Sequence, residues 1–332
     1  MYVVRTDPVA SWAPCHSTSC GSSGGRSLFL AKTVRPFVDA GPRAQRVSHT
    51  SRFSQGDPLR SYIPDVDHHR IEPGTTVDLA EIDTRATPAF DGDKEASQPV
   101  FAERQRRLAE LQDVLYAEGK HRVLLVLQAM DTGGKDGTIR HVFHHVDPIG
   151  VRMRSFKKPS TAELAHDYLW RVHPHVPGDG EFVVFNRSHY EDVLVVRVHD
   201  LVDDDRAEKR FRHIREFERM LADEGTTIVK VFLHISKDEQ AERLQARLDE
   251  PNKNWKFSKA DLAERAHWDA YQRVYAEAIT ETSTDFAPWY VVPADRKWYR
   301  NLVVSQILID TLEGLDPRYP EPEDGLADVV IE

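Results

Sequence analysis

The chain has 332 residues and a formal net charge of −10, with 40% hydrophobic and 30% charged residues. That balance is globular, and a chain of this length hides about three quarters of its unfolded surface. Two cysteines, and no apolar run near the ~20 residues that span a bilayer, exclude disulfide-scaffold, fibrous and membrane-spanning classes; the negative total argues against a nucleic-acid coat.

The charge is uneven. Residues 1–60 carry eight Lys and Arg against three Asp, so they are +5 and the remainder is −15. Both cysteines, Cys15 and Cys20, lie in this leader beside a Ser/Gly run. Its Arg- and Ser-rich, acid-poor composition is that of a transit peptide, but a disordered tail or non-native upstream sequence is the plainer reading. Cys15-x4-Cys20 has no further partners at zinc-site spacing. The cysteine-free remainder suits a reducing cytosol, so a cytoplasmic location is expected.

Residues 61–90 are polar and broken by Pro64, Pro73 and Pro88, which reads as an arm lying along the domain of residues 91–332. Ala102, Leu108, Leu111, Leu115 and Tyr116 share one helical face, and Gly119 ends that helix. Residues 122–128, Arg-Val-Leu-Leu-Val-Leu-Gln, have the continuous apolar run of a strand buried on both faces. Helices over 135–145, 161–172 and 207–223 then alternate with strands over 151–156, 182–185 and 227–235. Ser236-Lys-Asp-Glu239 has the form of a capping box and opens a helix that Pro251 stops; Ser258 begins another. A strand over 289–292 and a helix over 298–315 close the chain. Such alternation predicts an α/β fold, a three-layer sandwich with a parallel sheet and helices on both faces. It reads as one domain, with an inserted helical lid at 236–258.

Chemistry concentrates after the first buried strand, in Gln128-Ala-Met-Asp-Thr-Gly-Gly-Lys-Asp-Gly-Thr138. Between a strand and a helix, Gly133 and Gly134 let successive N–H groups face one anion, and Lys135 adds a full charge to the helix terminus. Against G-x-x-x-x-G-K-[ST], Ala129 stands at position one and Asp136 replaces the Ser or Thr that holds magnesium. Asp131 is then the candidate metal ligand, because a hard cation takes carboxylate oxygen. Gly137 and Thr138 complete the phosphate-binding set.

Strand 182–185 runs into Asn186-Arg-Ser-His-Tyr-Glu-Asp192 at the sheet's carboxyl edge, where open α/β folds bind ligands. Asn186 stands where an Asp is usual, so Glu191 and Asp192 become the metal or acceptor-positioning acids. Arg187 suits a bidentate phosphate clamp. Ser188, His189 and Tyr190 read individually as solvated loop. Arg243 and Arg247, four apart, share a helix face ahead of Lys253 and Lys256. Arg152, Arg154, Lys157 and Lys158 form another basic set. Several cationic clusters on a −15 background point to a long anionic substrate. His141, His144 and His145 read as ordinary helix histidines, and Trp268, Tyr271 and Tyr275, with the pairs Trp289-Tyr290 and Trp298-Tyr299, as packing.

These motifs, together with Arg215-Glu-Phe-Glu-Arg-Met-Leu-Ala-Asp-Glu-Gly225, His234-Ile-Ser-Lys-Asp-Glu239 and Ala287-Pro-Trp-Tyr-Val291, resemble the polyphosphate kinase type 2 family from about residue 73 to the end. The Asn-Arg-Ser-His-Tyr-Glu-Asp form is similar to its class III branch, which phosphorylates both nucleoside mono- and diphosphates. The resemblance implies a P-loop kinase-like fold and reversible transfer of the terminal phosphoryl group of inorganic polyphosphate to AMP and ADP. It implies magnesium, with manganese as a substitute, and a homo-oligomer, dimer or tetramer. Carried over by position, Asp131, Lys135, Arg187, Asp192 and Arg243 would do the chemistry, with Asp131 and Asp192 on the metal. Gly133, Gly134, Asp136, Gly137, Thr138, Asn186, Glu191, Arg247 and Lys256 would bind phosphate or nucleotide. Two other readings stay open: a nucleoside monophosphate kinase using ATP, and a non-catalytic polyphosphate- or nucleotide-binding module.

Overall fold

The computed structural model describes residues 65–326 and 329–331, and the basic leader lies outside them. The elements are β1 (Arg70–Ile71), α1 (Lys94–Glu118), β2 (Arg122–Ala129), α2 (Lys135–Val142), β3 (Val151–Ser155), α3 (Thr161–Leu164), β4 (Phe182–Asn186) and α4 (Val195–Val198). They continue as α5 (Asp204–Asp223), β5 (Thr226–His234), α6 (Lys237–Asp249), α7 (Lys259–Ala266), α8 (Trp268–Thr282), β6 (Trp289–Pro293) and α9 (Lys297–Leu315).

The six strands form one sheet in the order β1-β6-β5-β2-β4-β3. Five run parallel; β1 is antiparallel to β6, pairing Arg70 with Tyr290 and Ile71 with Trp289. The sheet is therefore mixed rather than wholly parallel. Every residue of β2 after Arg122 is buried, as is most of β5, so helices cover both faces. α1, α2 and α9 pack together, and α4, α5 and α8 make a second group. Full burial of a single Leu such as Leu125 is worth about 1.5–3 kcal/mol, so the central strand alone anchors much of the core.

Helix ends follow their local chemistry. α1 starts eight residues before Ala102, where Asp93 accepts from the Ala96 N–H at 2.8 Å. Pro99 sits in the second turn, where it removes one backbone donor without ending the helix. Val100, Leu108, Leu111 and Leu115 form its buried stripe, and Gly119 closes it at φ +66°. The helix expected over 161–172 shrinks to one turn. Asp167 Oδ1 accepts from both the Leu169 and Trp170 N–H groups, and this Asx turn diverts the backbone.

Residues 65–91 are stapled to the sheet and its helices. The Val77 N–H donates to Thr280 Oγ1 (2.9 Å), Thr84 Oγ1 to Asp295 Oδ2 (2.8 Å) and the Ala89 N–H to the Tyr299 hydroxyl (3.0 Å).

Candidate active site

The two motifs emerge side by side because β2 and β4 are parallel neighbours, in register from Val123 with Phe182 to Leu127 with Asn186. The loop after β2 turns tightly. The Gly133 N–H donates to the Met130 carbonyl at 2.9 Å, and a Cβ at Gly133 would meet Ala129 Cβ at 2.5 Å. Gly134 takes φ +104°, and even Thr132 is held at φ +63°. Gly134 caps α2 with no side chain on its first N–H groups, which leaves donors and the helix dipole for an anion.

Lys135 is buried, and its ammonium donates to the carbonyls of Ala129 (2.9 Å) and Met130 (3.4 Å). Burial and then the nearby Arg187 lower its pKa to about 8, against Asp131, Glu191 and Asp136. Arg187, at φ +61°, pairs with Asp131 and lies 3.6 Å from Glu191. Burial lowers its pKa, but Glu191 and Asp131 outweigh that and fix the guanidinium as a cation. Glu191 is pushed upward by burial, opposed by Arg187 and Lys135. Asn186 Nδ2 donates to Asp136 Oδ1 at 2.6 Å, tying the two motifs together.

These groups, Glu191 excepted, line a cleft of about 610 Å³. Lys157 and Lys158 reach it from the segment after β3; Arg243, Arg247, Lys253 and Lys256 come from α6 and the 3-10 turn Pro251–Lys256, and Lys297 from the start of α9. With Lys135 and Arg187 that makes nine basic side chains against Asp131, Asp136 and Asp261. Such an excess around one loop selects a polyanion.

α6 is seated by contacts to this loop. Arg243 Nε donates to Glu239 Oε1 (2.7 Å), and its Nη groups donate to the carbonyls of Thr132 (3.2 Å) and Ala294 (2.6 Å). The expected capping box is therefore half made. Ser236 accepts from the Glu239 N–H, but the Glu239 carboxylate is taken by Arg243, and the Ser236 N–H goes to Asp295 Oδ1. Arg247 pairs with Asp261 Oδ2 at 3.0 Å.

Three expectations are corrected. Asp192 does not line the cleft with Asp131: it lines a separate cavity of about 390 Å³, 3.8 Å from Arg210. Burial lifts its pKa to about 6, against Arg210 and Arg171. The one-residue step from Glu191 within the turn after Ser188 rotates the two acids apart, and Glu191 is the one beside Asp131 and Arg187. Thr138 is buried with its hydroxyl donating back to the Gly134 carbonyl at 3.2 Å, so it braces the loop from behind. Ser188, His189 and Tyr190 are buried, not solvated.

Their burial exposes what sequence reading missed. Glu218 of α5 accepts from the Tyr190 hydroxyl (2.8 Å) and from Lys230 Nζ of β5 (2.6 Å), with His189 Nε2 at 3.3 Å. Lys230 also donates to the Thr282 carbonyl at 2.7 Å. This network ties the turn carrying Glu191 to β5. The signal was available: Lys230 interrupts an apolar strand, and a lysine there has to find an acid. Arg152 turns away from the cleft to Glu181, and Tyr275, though packed, donates to the Ala129 carbonyl (3.1 Å) under the loop.

The chain matches the model of the polyphosphate kinase 2 family, PPK2, over residues 91–320. It is 61% identical over 264 residues to the AMP/ADP-polyphosphate phosphotransferase of Meiothermus ruber, covering 80% of this chain and 99% of that protein. It is 47% identical over 264 residues to the ADP-polyphosphate phosphotransferase of Rhodopseudomonas palustris, covering 76% and 91%. The crystal structure of polyphosphate kinase 2 from Arthrobacter aurescens superposes with a TM-score of 0.78 at 47% identity, over 80% of this chain and 95% of that one. A phosphate loop, a second motif at the neighbouring strand end and the family match over most of the chain agree: the chain belongs to the polyphosphate kinase 2 family.

Proposed function

We propose that this protein transfers the terminal phosphoryl group of inorganic polyphosphate to AMP and ADP, giving ADP and ATP, and that the reaction is reversible. The observation that carries this reading is the cleft's excess of nine basic over three acidic side chains around a phosphate loop. The names of the relatives from M. ruber and R. palustris support the donor and acceptors.

A nucleotide phosphate oxygen attacks the terminal phosphorus while the bond from that phosphorus to the bridging oxygen breaks. The shortened chain leaves with that oxygen, so no covalent enzyme intermediate is needed. Such transfer depends on positioning and charge stabilisation. The free N–H groups at Gly134–Asp136 and the Lys135 ammonium hold the reacting phosphate. Arg187, released from Asp131 and Glu191 by competing anions, clamps an oxygen pair. Arg243, fixed against the loop through the Thr132 carbonyl, neutralises charge on the transferring group.

Asp131 and Glu191 are two carboxylates beside the phosphate loop, and no cluster of three or more His, Cys, Asp or Glu capable of holding a metal exists among the described residues. That donor set fits a magnesium ion, which keeps several waters and shares its shell with substrate phosphates. Bound there, magnesium or manganese would supply neutralisation of phosphate charge.

We further propose a cytoplasmic homo-oligomer. The unpaired edge of β3, with Met153 exposed on it and Ile149 exposed just before it, supports self-association. No helix among the described residues is long and apolar enough to cross a membrane. Light scattering tests the oligomer, and a monomer at working concentration would remove it. The activity is tested by incubating the protein with AMP, polyphosphate and magnesium with ATP omitted, and following ADP and ATP. Product formed only when ATP replaces polyphosphate would make it a nucleoside monophosphate kinase. Binding without turnover would make it a binding module.

A further inference from the structure

Four successive carbonyls of the phosphate loop each accept a hydrogen bond from a side chain. Ala129 takes Lys135 Nζ (2.9 Å) and the Tyr275 hydroxyl (3.1 Å), and Met130 takes Lys135 Nζ at 3.4 Å. Asp131 takes Gln240 Nε2 at 2.8 Å, and Thr132 takes Arg243 Nη1 at 3.2 Å. Gln240 and Arg243 stand three apart on α6 and so share a face. Gln240 differs from Lys135 and Arg243 in lying outside the main cleft. It is 1% exposed and reaches from α6 to the peptide that joins Asp131 to Thr132.

Thr132 is where that peptide needs holding. At φ +63° it sits in the left-handed region, which a β-branched residue enters only under constraint. Its hydroxyl is buried with no hydrogen-bond partner among the described residues, so its own side chain does not offset the strain. The carbonyls on either side of its Cα, those of Asp131 and of Thr132 itself, are instead the two that α6 holds. Of the two donors, Arg243 is a cation at the phosphate cleft, so a polyanion competes for it. The Gln240 amide is neutral and stays. Its orientation is fixed by Arg265, whose Nη1 donates to Gln240 Oε1 at 2.9 Å and to the Lys237 carbonyl at 2.6 Å. A guanidinium can only donate, so the amide oxygen must face Arg265 and the amide NH2 must face Asp131.

We propose that Gln240 is a positioning residue for phosphoryl transfer. It holds the Asp131–Thr132 peptide in its left-handed turn, which keeps the Asp131 carboxylate against Arg187 and the first N–H groups of α2 open to the reacting phosphate. Arg265 acts one step further out, by fixing the amide. This rests on the transfer from polyphosphate to nucleotide proposed above. Without the Gln240 donor, the strain at Thr132 relaxes by turning the peptide, and Asp131 and the loop amides move together. A misplacement of about 1 Å at a reacting centre costs on the order of a hundredfold in rate, so a partial turn of the loop costs less than that.

Gln240→Met keeps the volume and removes the donor, while Arg265 retains the Lys237 carbonyl. Gln240→Glu keeps an acceptor for Arg265 but sets a carboxylate against the Asp131 carbonyl. Thermal melting confirms that each variant is folded, and initial rates at saturating ADP and polyphosphate, well below the melting temperature, give kcat. Gln240→Met lowers kcat roughly tenfold, and Gln240→Glu lowers it at least as far. Thr132→Gly supplies a readout that a merely structural role would not move, because glycine takes the left-handed turn without strain. In a Thr132→Gly background the Gln240→Met change costs only about threefold or less, so the two substitutions are non-additive. A wild-type kcat for either Gln240 variant would overturn the proposal; for Gln240→Glu it would mean that the contact to Arg265 suffices. Equal losses from Gln240→Met with and without Thr132→Gly would overturn it too, since strain at Thr132 would then play no part. If the wild type makes no ATP from ADP and polyphosphate, the transfer reading fails instead, and that is seen before any variant is made.

Discussion

Gly134 carries two demands at once, and replacing it separates them. In Gly134→Ala the backbone has to stay at φ +104°, a strain of roughly 1–3 kcal/mol for a residue with a Cβ. The new methyl would also lie 2.2 Å from Arg300 Nη1, more than an ångström inside ordinary contact. Relief requires the guanidinium to move, which weakens two bonds to Asn301 in a buried site; hydrogen bonds of a charged donor are worth about 1.5–3 kcal/mol each. The expected total is roughly 3–5 kcal/mol. Gly225 provides the control: it sits at φ +91°, and a Cβ added there would meet nothing within 4 Å, so Gly225→Ala carries the backbone strain alone. Denaturant unfolding of both variants gives the difference, expected to be about 2 kcal/mol or more, a further drop in Tm of at least ~4 °C. If Gly134→Ala unfolds no more easily than Gly225→Ala, Arg300 is not held against the loop and the close approach has no energetic meaning.

The remaining expectations concern charge. Lys230→Met leaves Glu218 buried without its main partner and costs about 3–5 kcal/mol, whereas Lys230→Met with Glu218→Leu recovers much of it; a double variant no more stable than the single would refute the pairing. Lys135 has a pKa of about 8 before ligand binds, and the phosphate it holds favours the charged form. The KM for polyphosphate is therefore flat below pH 8 and rises above it, by up to about tenfold per pH unit, because binding then takes up a proton; a KM independent of pH from 7 to 10 contradicts this. Glu191→Gln lowers kcat by roughly a hundredfold or more, while Asp192→Asn has the smaller effect, in steady-state rates with ADP. The opposite ranking would return the metal to Asp192.

How far the sequence carries can be judged residue by residue. Local signals were enough for the strand–loop–helix around Lys135, since a continuous apolar run, two glycines and a lysine have few alternatives. They were enough for the basic face of Arg243 and Arg247, whose spacing puts both on one side of any helix. The same reasoning stretched α3 to residue 172, because periodicity does not register a single Asx turn.

Sequence alone thus determined the α/β order, the phosphate loop, the second motif and the polyanionic character of the substrate, all consequences of patterns within about a dozen residues. Only the tertiary structure decided which acid stands beside Asp131. It alone showed that His189 and Tyr190 are locked to Glu218 and Lys230, and that Arg300 presses on Gly134 from a helix more than 160 residues away. Charge and glycine content are properties of residues, but burial, pairing and close approach are properties of neighbours. Those neighbours are set by how the sheet's strand order folds distant segments together.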